Sequence, residues 1–219
     1  MTISNGLIAR IKELATQWRP YAPHSWAPEQ ALQEVEMVRR LSEAMGSNED
    51  PFFRDLRKFL HPSGKTEPPD VTAKDRNGSS VAFEVRELVD QRAIEENVRR
   101  FRRNNRRPSI VRVGSRVEHI WTQVYRSWTP ATVLDELRGI IADKEDKLRG
   151  AKRRGVCFDQ FDRVILVIHT GEPDLDPDRY IEVVREHLFA RPEHVHEAYL
   201  VFSYSPASQG YPYAALRFE

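Results

Sequence analysis

At 219 residues, 40% of them hydrophobic and 31% charged, the chain is long enough to bury a core in one domain of ordinary size, and its apolar runs argue for a well-solvated surface rather than disorder. A single cysteine, Cys157, excludes an internal disulfide and a cysteine-based zinc cage, which points to a reducing, cytoplasmic setting; no stretch approaches the ~20 apolar residues of a membrane span, and Met1–Arg19 lacks the unbroken apolar run of a secretory signal. The net charge of +1 hides a local asymmetry, because six arginines fall between Val98 and Arg107.

Residues 1–27 read as a short amphipathic helix followed by a Trp/Pro-rich connector, with no chemistry of their own. Pro28 opens a helix to about Met45, with Ala31, Val35, Val38, Leu41 and Met45 on one stripe. Glu34 lies inside that stripe, four, seven and eleven residues before Val38, Leu41 and Met45. An acid facing an interior costs several kcal/mol unless it is paired or bound to a metal, and the stripe leaves both options open. Asn48–Lys65 reads as a polar loop containing a short helical piece, Pro51–Leu60.

Pro68–Leu88 reads as a β-hairpin. Asn77-Gly78 is a strong signal for a two-residue type I′ turn, which pairs Arg76 with Ser79 and sets Asp70 opposite Val85, diagonal to Glu84 at roughly 5–8 Å. Val81, Phe83 and Val85 share one face of the second strand, and Ala82, Glu84 and Arg86 share the other. Asp70 and Glu84 are then close enough for one divalent cation to bridge.

Pro69-Asp70 followed by Glu84-Val85-Arg86 resembles the core motif of the PD-(D/E)xK nuclease superfamily, and more narrowly its mostly bacterial members in which the motif lysine has drifted; arginine stands here where lysine is usual. The resemblance implies a restriction-endonuclease-like α/β fold, a mixed sheet of about five strands flanked by helices. It also implies a Mg²⁺ or Mn²⁺ site made by Asp70, Glu84 and the Val85 carbonyl, with Glu34 of the N-terminal helix joining it. Arg86, too basic to act as a proton acceptor, is expected to clamp phosphate.

Beyond the hairpin, Gln91–Asn104 reads as an arginine-rich helix and Ser109–Val113 as a short strand. Arg99, Arg102, Arg103, Arg106 and Arg107 suit nucleic-acid phosphates, and a solvated helix face explains them equally well. His119, Trp121, Tyr125 and Trp128 read as packing residues. Thr129-Pro130 starts a helix to about Arg149, buried along Val133, Leu134, Leu137, Ile140, Ile141 and Leu148. Lys144 falls on the centre line of that stripe, where it must snorkel, lose its charge or meet an anion. The superfamily resemblance suggests the last, since related proteins move the motif lysine to a neighbouring helix in the pattern seen here as Ile141, Lys144 and Lys147.

Asp162–Thr170 is a nearly unbroken apolar run, expected at the centre of a sheet covered on both faces. A helix over Asp178–Phe189, a buried strand over Glu197–Tyr204 and an edge strand over Tyr211–Phe218 complete the chain. His187, His194 and His196 lack a third spaced ligand, His169 reads as a packed or capping residue, and Asp174, Asp176 and Asp178 read as a helix-starting turn. No phosphate loop, dinucleotide fingerprint or nucleophile elbow is present.

The expected organisation is therefore a helix and connector up to residue 27 and an α/β domain over 28–219 with an arginine-rich insert at about 89–128. The expected function is metal-dependent hydrolysis of nucleic-acid phosphodiesters by Asp70, Glu84, Lys144 and Arg86, with DNA, RNA and homodimer formation left open. The alternative is a catalytically inactive module of the same fold that binds nucleic acid or a protein.

Overall fold

The structure, a computed structural model, describes residues 27–47, 49–59, 68–90, 99, 109–113, 116–120, 128–156, 158, 160–172, 174–203, 205 and 208–219, with backbone alone at 27–32, 109–113 and 116–120. In chain order these form helix α1 (Ala27–Met45), strands β1 (Phe53–Lys58), β2 (Val71–Asp75), β3 (Ser80–Glu87), β4 (Ser109–Val113) and β5 (Arg116–Ile120), and helix α2 (Pro130–Arg153). Strand β6 (Arg163–Thr170), helix α3 (Pro177–Glu186) and strands β7 (Leu188–Phe189), β8 (Glu197–Phe202), β9 (Tyr213–Ala215) and β10 (Arg217–Phe218) follow. The residues up to 26 and most of the arginine-rich stretch, including Arg102, Arg103, Arg106 and Arg107, lie outside the described residues.

The main sheet is mixed, with six strands in the order β1-β2-β3-β6-β8-β9. The pairs β3–β6 and β6–β8 are parallel, and β1–β2, β2–β3 and β8–β9 are antiparallel. Parallel neighbours need crossovers, and α2 and α3 supply them. Strand β6 lies between two parallel partners, and both of its faces are covered by packed side chains. Val164, Leu166 and Ile168 pack with Val133, Leu137, Ile141 and Leu148 of α2 and with Tyr180 and Val184 of α3. Ile165 and Val167 pack on the opposite face with Val38 and Leu41 of α1 and with Phe53, Phe83 and Val85. The described residues thus form three layers, with α2 and α3 on one side of the main sheet and α1 on the other.

The helix starts follow their sequence signals. Thr129 caps α2, its side chain accepting from Thr132 N–H, with Pro130 in the first turn. Asp176 caps α3 and accepts from the Asp178 N–H, so the alternating aspartates form a helix start. Helix α2 runs four residues past Arg149, ending at Arg153.

Four expectations are corrected. The Pro51–Leu60 stretch is not helical over its described residues, 51–59: Phe53–Lys58 is the edge strand β1, held to α1 where Ser42 Oγ accepts from Phe53 N–H at 2.7 Å and donates to Phe53 O at 3.1 Å. Its strand alternation is hidden because Asp55 takes a left-handed φ of 54° and the pairing with β2 shifts between Arg54 and Arg57. The sheet has six strands rather than about five, β1 being the addition. The last helix stops at Glu186, and Leu188–Phe189 pairs in parallel with Arg217–Phe218, which splits the expected final strand into β9 and β10.

The fourth correction concerns the hairpin. Val71 pairs with Phe83 and Lys74 with Ser80, one residue away from the register of a two-residue turn. Asp75 is the cause. Its Oδ1 accepts the N–H groups of Asn77 and Ser79 at 2.8 and 2.9 Å, and its carbonyl accepts from Gly78 N–H at 3.0 Å. The loop therefore holds three residues, and Gly78, at φ 83°, carries its left-handed conformation. Side chains alternate with period two, so this single step decides which face each residue of β2 presents.

Candidate functional site: a buried Asp70–Glu84–Lys144 cluster

Continuing the observed register one step beyond Val71 puts Asp70 directly opposite Glu84, on the same face, rather than diagonal to it. There the ladder gives way to a side chain, since Val85 N–H donates to Asp70 Oδ2 at 2.8 Å. The Asp70 backbone is fixed on both sides: its N–H donates to Phe83 O at 2.9 Å, and its carbonyl accepts from Phe59 N–H at 3.1 Å. The peptide bond before Pro69 is cis.

Lys144 reaches this pair from α2, which covers the Ala82/Glu84 face of the sheet. Its Nζ lies 2.6 Å from Glu84 Oε2 and 3.4 Å from Asp70 Oδ2. The side chains are 8% (Lys144), 3% (Glu84) and 17% (Asp70) exposed, so the three charges meet largely out of water. Three residues that the superfamily resemblance groups together thus lie in contact.

One ammonium does not satisfy two carboxylates. Glu84 Oε1 is buried and has no hydrogen-bond donor among the described residues, which leaves the carboxyl short of one partner. Burial pushes the Glu84 carboxyl up to about 7, with the Asp70 charge adding to the rise and the ammonium groups of Lys144 and Lys147 opposing it. For Lys144, burial works against the charged form, but Glu84 and Asp70 outweigh it and hold the ammonium above its ordinary value. A donor set of two hard carboxylates, one of them with an orphaned buried oxygen, fits a divalent cation that prefers oxygen ligands.

The other expected residues are placed as follows. Arg86 extends the Ala82/Glu84 face two residues along β3 and is exposed. Val85 stands beside Asp70, with its side chain in the opposite core. Glu34 is not brought to the cluster. It sits on α1, across the sheet, and is ion-paired with Lys58 of β1. The helical stripe that marked Glu34 as inward-facing reports depth and not which face of the sheet the helix covers. Arg99 is exposed.

The histidines are engaged elsewhere. His194 Nδ1 lies 2.6 Å from Glu145 Oε1, and His194 N–H donates to Glu145 Oε2 at 2.9 Å, tying α2 to the segment before β8. Glu193 lies nearby, and the three offer ligand atoms within 4.8 Å of one another, although both Glu145 oxygens are already hydrogen-bonded. His196 Nδ1 accepts from Val164 N–H, and His187 meets Arg138. Sequence reasoning missed Glu145 as a partner for His194, and it also missed Glu172. The Glu172 carboxylate accepts from Asp90 N–H at 3.0 Å and from Trp128 Nε1 at 3.4 Å, and so fastens residues on either side of the arginine-rich stretch to the loop after β6. None of these three pairings has a local signal, because the partners lie 49, 82 and 44 residues apart.

No helix among the described residues is long and apolar enough to cross a membrane. Comparison of the chain with protein-family models, with curated proteins and with solved structures finds no match in any of the three.

Proposed function

We propose that the protein is a Mg²⁺- or Mn²⁺-dependent nuclease of restriction-endonuclease-like fold, hydrolysing phosphodiester bonds of nucleic acid in the cytoplasm. The observation that carries this reading is the meeting of Asp70, Glu84 and Lys144 around a buried Glu84 Oε1 that has no hydrogen-bond donor among the described residues. The motif resemblance supplies the reaction class. The geometry supports it by setting the two acids face to face and by bringing a helix-borne lysine to the motif.

Asp70 and Glu84, with the Val85 carbonyl, would hold the ion. When bound, such an ion supplies charge stabilisation at phosphoryl oxygens and a lowered pKa for a coordinated water. Val85 N–H fixes the Asp70 carboxylate, so this ligand is held before any ion arrives. Lys144, held protonated by its two acids in the ion-free protein, would donate to charge that develops on the phosphate. Arg86, permanently charged and exposed on the same face, would clamp the flanking phosphate. The arginines at 99, 102, 103, 106 and 107 belong to this proposal as contacts to the polyanion.

The rival reading is a non-catalytic module of the same fold, and it is favoured by Arg86 standing where the motif has lysine. A panel of single- and double-stranded DNA and RNA with Mn²⁺ separates the two. The expected result is cleavage by the wild type, lost in Asp70→Asn and Glu84→Gln proteins that remain folded. Cleavage that survives in both variants, or that never appears in the wild type, removes the nuclease reading.

A further inference from the structure

Lys144 does more than stand near the acids. Its Nζ contacts one oxygen of each carboxylate, Glu84 Oε2 at 2.6 Å and Asp70 Oδ2 at 3.4 Å, which is the bridging position a hard cation with ligands from both residues would take. The group in that position is buried on a helix whose neighbouring turns are anchored in the core by Ile141 and Leu148, so α2 itself is not free to withdraw. The lysine stem is free to do so, being four carbons long and unbranched.

We propose that Lys144 is a built-in competitor for the divalent cation: its ammonium occupies the bridge between Asp70 and Glu84 in the ion-free protein and must swing away for an ion to bind. The inference rests on the reading of these acids as a metal site. Two cations cannot share the bridge, because each raises the cost of the other in a poorly solvated pocket. The lysine is an incomplete occupant. It reaches one oxygen of each acid and leaves Glu84 Oε1 without a donor among the described residues, so a divalent ion offers the pair the missing contact. Displacement also has a consequence for chemistry. The ammonium that would leave the acids is the one the proposed reaction would require at the phosphate.

Calorimetric titration with Mn²⁺ of the wild type and of Lys144→Met, Lys144→Arg and Asp70→Asn proteins, each checked for folding by circular dichroism, tests this. Removing the competing charge is expected to tighten Mn²⁺ binding by roughly tenfold or more in Lys144→Met. Lys144→Arg, which keeps a permanent cation with a two-pronged head, is expected to bind no more tightly than the wild type. Should Lys144→Met fail to fold without an ion, the arginine variant decides, and tighter binding there overturns the inference. Wild-type binding that Asp70→Asn abolishes but Lys144→Met does not strengthen also overturns it, while leaving the metal site standing. Absence of any Mn²⁺ binding that depends on Asp70 defeats the underlying reading and the competitor with it.

Discussion

A charged residue on an apolar stripe is an anomaly that sequence can flag but not resolve, and Lys144 and Glu34 show both outcomes. Each lies within the buried stripe of its helix, and each turns out to be ion-paired. Lys144 meets acids that were themselves recognisable from their motif. Glu34 meets Lys58, on a strand whose character was hidden by a left-handed Asp55. The stripe gave the depth of both residues; the partner depended on which face of the sheet each helix covers, and that is a property of the whole fold. The consequence is testable at Glu34. Because it faces away from Asp70 and Glu84, Glu34→Gln should leave Mn²⁺ affinity within about twofold of the wild type while lowering the melting temperature, since Lys58 loses its partner in a half-buried setting. A Mn²⁺ affinity that collapsed in this variant would mean that α1 acts on Asp70 and Glu84 after all.

At the scale of elements, apolar β6 and the capped helices were legible because their signals are local. An unbroken apolar run marks a strand covered on both faces, and a threonine followed by proline marks a helix start. The hairpin register was not. Asn77-Gly78 favours a two-residue turn on intrinsic grounds, but the Asp75 carboxylate accepts two loop N–H groups and is itself held by Arg163 at 2.6 Å, which selects the three-residue loop. Since Arg163 opens β6, the register that sets Asp70 against Glu84 is secured by a residue 88 positions away. Two glycines then make opposite predictions. A Cβ on Gly78 would meet nothing within 4 Å, so the cost of Gly78→Ala is its backbone strain alone, about 1 kcal/mol or somewhat more. Gly139, exposed inside α2 with equally open surroundings, should gain about 1 kcal/mol as alanine. Denaturant unfolding of the two variants should move in opposite directions; a neutral Gly78→Ala would show that the loop relaxes into another conformation.

Over the whole molecule, the sheet separates its buried charges into clusters whose carboxylates respond to pH in opposite senses. Asp75 is held below its ordinary value: burial opposes this, but the N–H groups of Ser79 and Asn77 and the Arg163 guanidinium prevail. Glu145 is also held low, with burial again outweighed by His194 and Arg149. Both contribute stability that is present above the ordinary carboxylate range and lost as pH falls through their folded values. Glu84 runs the other way. Facing Asp70 across the hairpin and Lys144 and Lys147 on α2, it is raised from 4.5 to about 7, so between those values the folded protein keeps a proton that the unfolded chain has released. Its contribution is therefore complete below pH 4.5 and declines as pH rises towards about 7, beyond which it changes no further. In the absence of divalent ions, stability should thus be greatest on the mildly acidic side and should fall toward neutrality. Glu84→Gln should flatten that neutral limb and leave the acid limb intact, whereas Asp75→Asn should weaken the acid limb and leave the neutral one. Urea unfolding from pH 3 to 8 reads both; an unchanged slope between about pH 5 and 7 in Glu84→Gln would show that Glu84 is already ionised throughout, its pairing with Lys144 having overcome its burial.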